Sequence, residues 1–233
     1  VTWDDPRLSS TKRLASRYVI GWLNNWAYAT KLPTSDWHGG SNSIVRRIEL
    51  RLVDGKPVLV SQPVDAFDQL EGYAEVRSNI LVTDTGKTTL PQPKSDAYRL
   101  RVKLDAASEA NEVRFRLKEK DGYFAVVGYN FKDKTVFITR DTDAIAGLMP
   151  EVYRETRKVS APARDGVVSF DIIVDTISIE VFVNGGELVL SNLVFGSPGA
   201  NGLSVESFGG ATELRTFQLS PLKVVPIKRY GGD

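Results

Sequence analysis

The sequence predicts an all-β chain, and three features of it carry that expectation. Short runs rich in valine, isoleucine, phenylalanine and tyrosine follow one another along most of the 233 residues. Turn pairs punctuate them, Asp54-Gly55 and Asp121-Gly122 among them, and such pairs supply positive φ at low cost. No stretch carries a convincing 3.6-residue apolar period, and the helix-length segments that βαβ crossovers need are missing. Antiparallel sheets are therefore expected rather than a parallel one.

The elements follow in order. VTWDD and RYVIGWL read as strands, and RIELRLVDGKPVLVSQP reads as a hairpin turning at Asp54-Gly55. Residues 1–64 thus offer about four strands, the content of one propeller blade and too little core to stand alone. DAFDQLEGY, 65–73, is acidic and does not alternate, which marks it as a short helical or loop connector. From residue 74, AYRLRVKLDA, EVRFRLKEK, GYFAVVGYN, KTVFITR and VVSFDIIVD succeed one another. ISIEVFVNGGELVLSNLVF is a second hairpin, turning at Asn184-Gly185-Gly186, before GLSVESFGG and ATELRTFQL. Strands at this spacing predict a β-sandwich over 74–222. Ile177, Ile179, Val181 and Val183 would line one face, with Ser178, Glu180, Phe182 and Asn184 on the other. Phe182 breaks that polar face and is expected to be covered. Residues 223–233 read as a terminal extension.

Composition narrows the function. The net charge of +1 gives no overall field toward nucleic acid or an anionic membrane, so a neutral ligand fits better. The absence of cysteine excludes disulfides, thiolate catalysis and cysteine-ligated zinc. The single histidine, His38, allows no multi-histidine metal site, and no cofactor or metal is expected. No segment approaches the ~20 apolar residues of a membrane span. VTWDDPRLSS has neither the basic nor the apolar region of a signal peptide, and the chain starts as if in mid-strand.

GWLNNWAY, 21–28, is the unusual stretch, and it runs on through PTSDWHGG to Trp37. Indoles flanked by amides suit a sugar: an indole face packs on the C–H surface of a ring, while an amide both donates to and accepts from hydroxyls. Trp37, in a glycine-flanked loop, is a candidate binding residue. Trp22, four positions before Trp26, is assigned to the core, and His38 to a polar loop. Read alone, Trp26 is better assigned to a blade core than to a ligand.

These residues carry a family resemblance. IGWLNNWAYATKLPTSDW resembles the segment IGWM-[SN]-N-W-x-Y-A…PTSPW of glycoside hydrolase family 32, the levanases, inulinases, invertases and related fructosyltransferases. VVSFDIIVDTISIEVFVNGGELVLSNLVF is similar to that family's C-terminal signature, V-D-x-S-S-[IV]-E-V-F-x-N-[DG]-G running into L-T-[ND]. The resemblance extends from Val1 to about Val225 and implies the last blade of a five-bladed β-propeller followed by an antiparallel β-sandwich. It also implies a retaining mechanism with two carboxyl groups about 5 to 5.5 Å apart.

The family's three acid motifs, W-M-N-D-P-N-G, R-D-P and E-C, are absent. WDDP at 3–6 only echoes the first, and Arg140-Asp141-Thr142-Asp143 lacks the proline. No catalytic residue is therefore assigned, and the chain alone is expected to be inactive. Its expected partners are a fructan or sucrose and the N-terminal blades bearing the acids. The resemblance makes Asn25 and Trp26 part of the fructosyl pocket and implies a secreted bacterial protein. Where many members read S-x-P-R-E-L, this chain has Ser43-Ile44-Val45-Arg46-Arg47-Ile48, a change of local charge expected to alter the subsite or the balance of transfer and hydrolysis. A levan fructotransferase forming a cyclic difructose stays open, as does a non-catalytic carbohydrate-binding sandwich.

Overall fold

A computed structural model describes residues 1–15, 17–35 and 39–223. In chain order the elements are β1 (Thr2–Trp3), α1 (Ser10–Ala15), β2 (Arg17–Val19), β3 (Arg46–Val53), β4 (Lys56–Pro63), a 3₁₀ turn (Asp65–Leu70), β5 (Glu75–Val82), β6 (Thr88–Thr89), β7 (Tyr98–Asp105), β8 (Glu112–Lys120), β9 (Tyr123–Asn130) and β10 (Thr135–Thr139). There follow α2 (Asp143–Ala146), α3 (Glu151–Arg154), β11 (Arg157–Ser160), β12 (Val167–Val174), β13 (Ser178–Val183), β14 (Leu188–Leu193), β15 (Gly202–Phe208) and β16 (Thr212–Pro221). The chain is all-β. β1-β2-β3-β4 form a four-stranded antiparallel meander. Two six-stranded sheets, ordered β11-β10-β9-β8-β15-β6 and β14-β13-β12-β7-β16-β5, form the sandwich.

Sequence dictates these elements through turns and alternation. Asp54 and Gly55 both take positive φ (50° and 72°), so a two-residue turn of the kind that matches strand twist closes β3 onto β4. Asp121-Gly122 does the same between β8 and β9. Inward residues of both six-stranded sheets then meet: Phe115 and Tyr129 on one, Leu104, Phe170, Val181 and Phe217 on the other. Phe115 and Tyr129 pack on the Phe170 ring at centroid distances of 6.3 and 6.5 Å. Each such side chain, fully withdrawn from water, contributes about 1.5–3 kcal/mol.

Two expectations change. RYVIGWL is regular only over Arg17–Val19; past it the backbone keeps an isolated bridge between Trp22 and Asn42. Gly21 and the amides of Asn24 and Asn25, which bond to backbone locally, end the strand there. α2 and α3, each four residues long, were not anticipated, because one turn is too short to display a helical period. The terminal extension from residue 224 lies outside the described residues.

The meander rests on the sandwich through β13 and β14. Glu180, 1% exposed on β13, accepts from the Ile44 backbone N–H at 2.7 Å and pairs with the Arg46 guanidinium. Arg46 also donates to Ser191 and lies over the Phe182 ring at 5.4 Å, so Phe182 is covered as its position on the polar face demanded. Arg164 bridges Asp54 and Glu187 at 2.6 and 2.7 Å. Gly186 is required here: its φ is +90°, and a Cβ would sit 2.2 Å from the Ser61 carbonyl oxygen.

Candidate functional site

The loop built by GWLNNWAY is held by residues 41–43 and by its own turn. Gly21 and Ser43 exchange hydrogen bonds, Gly21 N–H to Ser43 Oγ at 3.0 Å and Ser43 N–H to the Gly21 carbonyl at 2.8 Å, and Leu23 N–H donates to the Ser41 carbonyl at 2.9 Å. Asn25 Oδ1 accepts from Ala27 N–H at 2.9 Å, and Tyr28 N–H donates to the Asn25 carbonyl at 3.1 Å, closing a tight turn over 25–28.

Burial then sorts the side chains. Leu23 and Tyr28 turn into the sandwich, joining Tyr123, Ile145, Met149, Tyr153, Leu193 and Phe195 in a second apolar cluster. Tyr28 meets Tyr153 edge-on at 5.3 Å and 86°. Arg140 stacks on the same Tyr153 at 3.8 Å, donating to the carbonyls of Leu193 and Tyr153 at 2.7 and 2.6 Å. Trp26 stands 83% exposed, and Asn25 is exposed beside it.

Trp22 is not a core residue: it is 42% exposed, packs tilted against Trp26 at 4.7 Å and 52°, and donates through Nε1 to the Gly39 carbonyl at 2.8 Å. The same-side rule that sent it inward holds only for a regular strand, which ends before it. Gly39 must be glycine, since its φ is +86° and a Cβ would strike Asn24 Nδ2 at 2.2 Å. Trp37 and His38 lie outside the described residues.

The loop therefore presents two indoles and an amide on a rigid base. It carries no carboxylate of its own, so its chemistry is stacking and amide hydrogen bonding. Arg46, which matches the family pattern, is consumed in the junction with Glu180, and Arg47, the guanidinium that replaces the family glutamate, lies 3.6 Å from Asp65. Among the described residues no cluster of three or more histidine or acidic side chains is placed to hold a metal ion.

The model for the C-terminal region of glycosyl hydrolases family 32 matches residues 66–221. The chain belongs to glycoside hydrolase family 32. Within family 32 it is similar to a levanbiose-producing levanase of Bacillus subtilis, 31% identical over 224 residues, which covers 92% of this chain and 41% of the relative. It is 28% identical over 196 residues to an extracellular exo-inulinase of Aspergillus awamori, covering 83% of this chain and 36% of that protein. The crystal structure of exo-inulinase from Aspergillus awamori superimposes with a TM-score of 0.77 at 25% identity, over 90% of this chain and 41% of that one. The chain thus spans well under half the length of these family 32 relatives. The family model begins within the 3₁₀ turn and ends at the last residue of β16, so the loop bearing Trp26 lies upstream of its match.

Proposed function

We propose that this chain is the C-terminal part of a secreted, fructan-processing glycosidase, in which residues 1–64 complete one wall of the fructosyl pocket and the sandwich braces that wall. One feature carries the reading. Trp26 stands in solvent, its face set by Trp22, on a loop whose opposite side is buried in the sandwich. A ring so exposed contributes little to folding and is prepared to pack on a sugar. In this reading Asn25 and Trp37 accompany Trp26, and the two carboxyl groups of a retaining mechanism come from further propeller blades. That its relatives include a levanbiose-producing levanase and an extracellular exo-inulinase supports fructan as substrate and the extracellular location.

The test has two arms. Incubated alone with levan, inulin or sucrose, the chain is expected to release no reducing sugar. In the longer enzyme containing it, Trp26→Ala is expected to lower kcat/KM on fructan about tenfold, the worth of one aromatic stack, with no change in melting temperature. Unaltered kinetics would return Trp26 to the surface.

A further inference from the structure

The sandwich has a second concave site, remote in sequence from the Trp26 loop. A groove of about 440 Å³ opens between β5 and residues 92–94, within the roughly 300–1,000 Å³ usual for small-ligand sites. Its floor is apolar, made by Leu219 and Pro221 of β16 and by Tyr98 at the start of β7. Tyr73 stands at its rim, 94% exposed, just after the 3₁₀ turn. Polar groups on the wall are already oriented. Arg77 Nη2 donates to Glu75 Oε1 at 2.5 Å. Gln92 is fixed by donating to the Leu90 and Leu203 carbonyls at 2.9 and 2.8 Å and accepting from Leu203 N–H at 3.1 Å.

The chemistry of this groove selects its occupant. A phenol ring free of packing, an apolar floor, an internally neutralised Glu75–Arg77 pair and the ammonium of Lys94 suit a molecule with C–H faces and many hydroxyls. A peptide adding to the free edge of β5 fits less well. β5 is the last strand of its sheet, but it carries the charged Glu75 and Arg77, residues of the kind that blunt an edge against pairing.

We infer that the groove binds an oligosaccharide, with one ring packed on Tyr73 and its hydroxyls met by Glu75, Arg77 and Lys94. For the choice of a fructo-oligosaccharide this rests on the fructan reading above; for the groove itself it does not. A polymer held here raises the local concentration of chain ends without entering any catalytic pocket.

The experiment uses the whole chain carrying Trp26→Ala, so that the loop adds nothing, and titrates a fructo-oligosaccharide and a cello-oligosaccharide by calorimetry. The fructo-oligosaccharide is expected to bind, and adding Tyr73→Ala to weaken it about tenfold, while Tyr73→Phe retains it. Because Tyr73 is exposed, the variant should fold, and far-UV circular dichroism checks that it does. Tyr73-dependent binding of the cello-oligosaccharide alone would keep the groove and count against fructan. Binding indifferent to Tyr73, or none of either sugar, would overturn the groove and leave the Trp26 reading standing.

Discussion

Between the two six-stranded sheets Phe115, Val181 and Phe217 are wholly withdrawn from water, whereas on the meander Leu50, Leu52 and Leu59 are 70, 78 and 61% exposed. Within β3 and β4 Val60 is the sole buried residue. The sandwich has two sheets and closes on itself; the meander is one sheet and borrows its cover. What it borrows is specific: an apolar seat for Leu23 and Tyr28, and buried ion pairing at Glu180. The difference teaches that the two regions should fail separately once that junction is weakened. The chain also reports on them separately, because Trp3, Trp22, Trp26 and Trp37 are all its tryptophans and all lie upstream of the sandwich.

The largest expected effect is at the junction. Glu180→Ala leaves the half-buried Arg46 without its partner and the Ile44 N–H without its acceptor, a loss of about 3–5 kcal/mol for breaking a buried pair. The cost falls on the attachment of the meander rather than on the core of the sandwich. In urea, tryptophan emission should then shift at lower denaturant than far-UV circular dichroism, where the parent chain gives one coincident transition. Coincident curves in the variant would mean that the junction and the sandwich are a single cooperative unit.

The connector should give way next, and to acid. Arg99, 5% exposed, donates to Asp68 at 2.6 Å, to Glu71 at 2.7 Å and through two nitrogens to Asp171, while Arg101 holds both oxygens of Glu71. Burial raises the Glu71 carboxyl, but the hydrogen bond and charge of Arg101 and the charge of Arg99 outweigh it, and its pKa lies below the ordinary value. A carboxyl depressed on folding lends stability above its unfolded pKa and withdraws it as pH falls through the folded one. Protease cleavage within 65–73 should therefore accelerate below about pH 4. Glu71→Gln should be cleaved faster at neutral pH and respond less to acid. An equal acid response in the variant would place the sensitivity elsewhere in the cluster.

How much of this was legible in the sequence follows from what each residue depends on. Most strands of the sandwich were, because alternation and Asp-Gly turns are local, and even Phe182 announced a covering element by breaking the polar face, but the edge strands β5, β6 and β11 were not. Trp26 was singled out by its amide and indole neighbours, and its exposure fits that role. Trp22 was misplaced because its direction depends on where a strand ends, which Gly21 and two asparagines decide. Arg46 read only as a match to the family pattern, and its role in the junction was hidden because its partner Glu180 stands 134 residues away. The Tyr73 groove gave no signal at all. Its walls come from β5, β7, β16 and the loop before β7, and such convergence has no period to detect.

The smallest expected effect in this chain is also the one that bears most on the comparison. Leu59 faces Leu50 across the β3–β4 ladder, and both point away from the sandwich. Leu59→Ser should change the stability of the isolated chain by no more than about 0.5 kcal/mol, since an exposed residue loses little. It should nevertheless reduce self-association measured by sedimentation, because an exposed leucine face pairs with whatever apolar surface it meets. In a longer protein whose further sheets cover that face, the same substitution should cost about 1.5–3 kcal/mol, the value of burying a leucine. The two contexts must diverge if the meander is one sheet of a larger ring. Equal and negligible effects in both would make the leucines ordinary surface residues, and the meander a finished appendage of the sandwich that needs no neighbour.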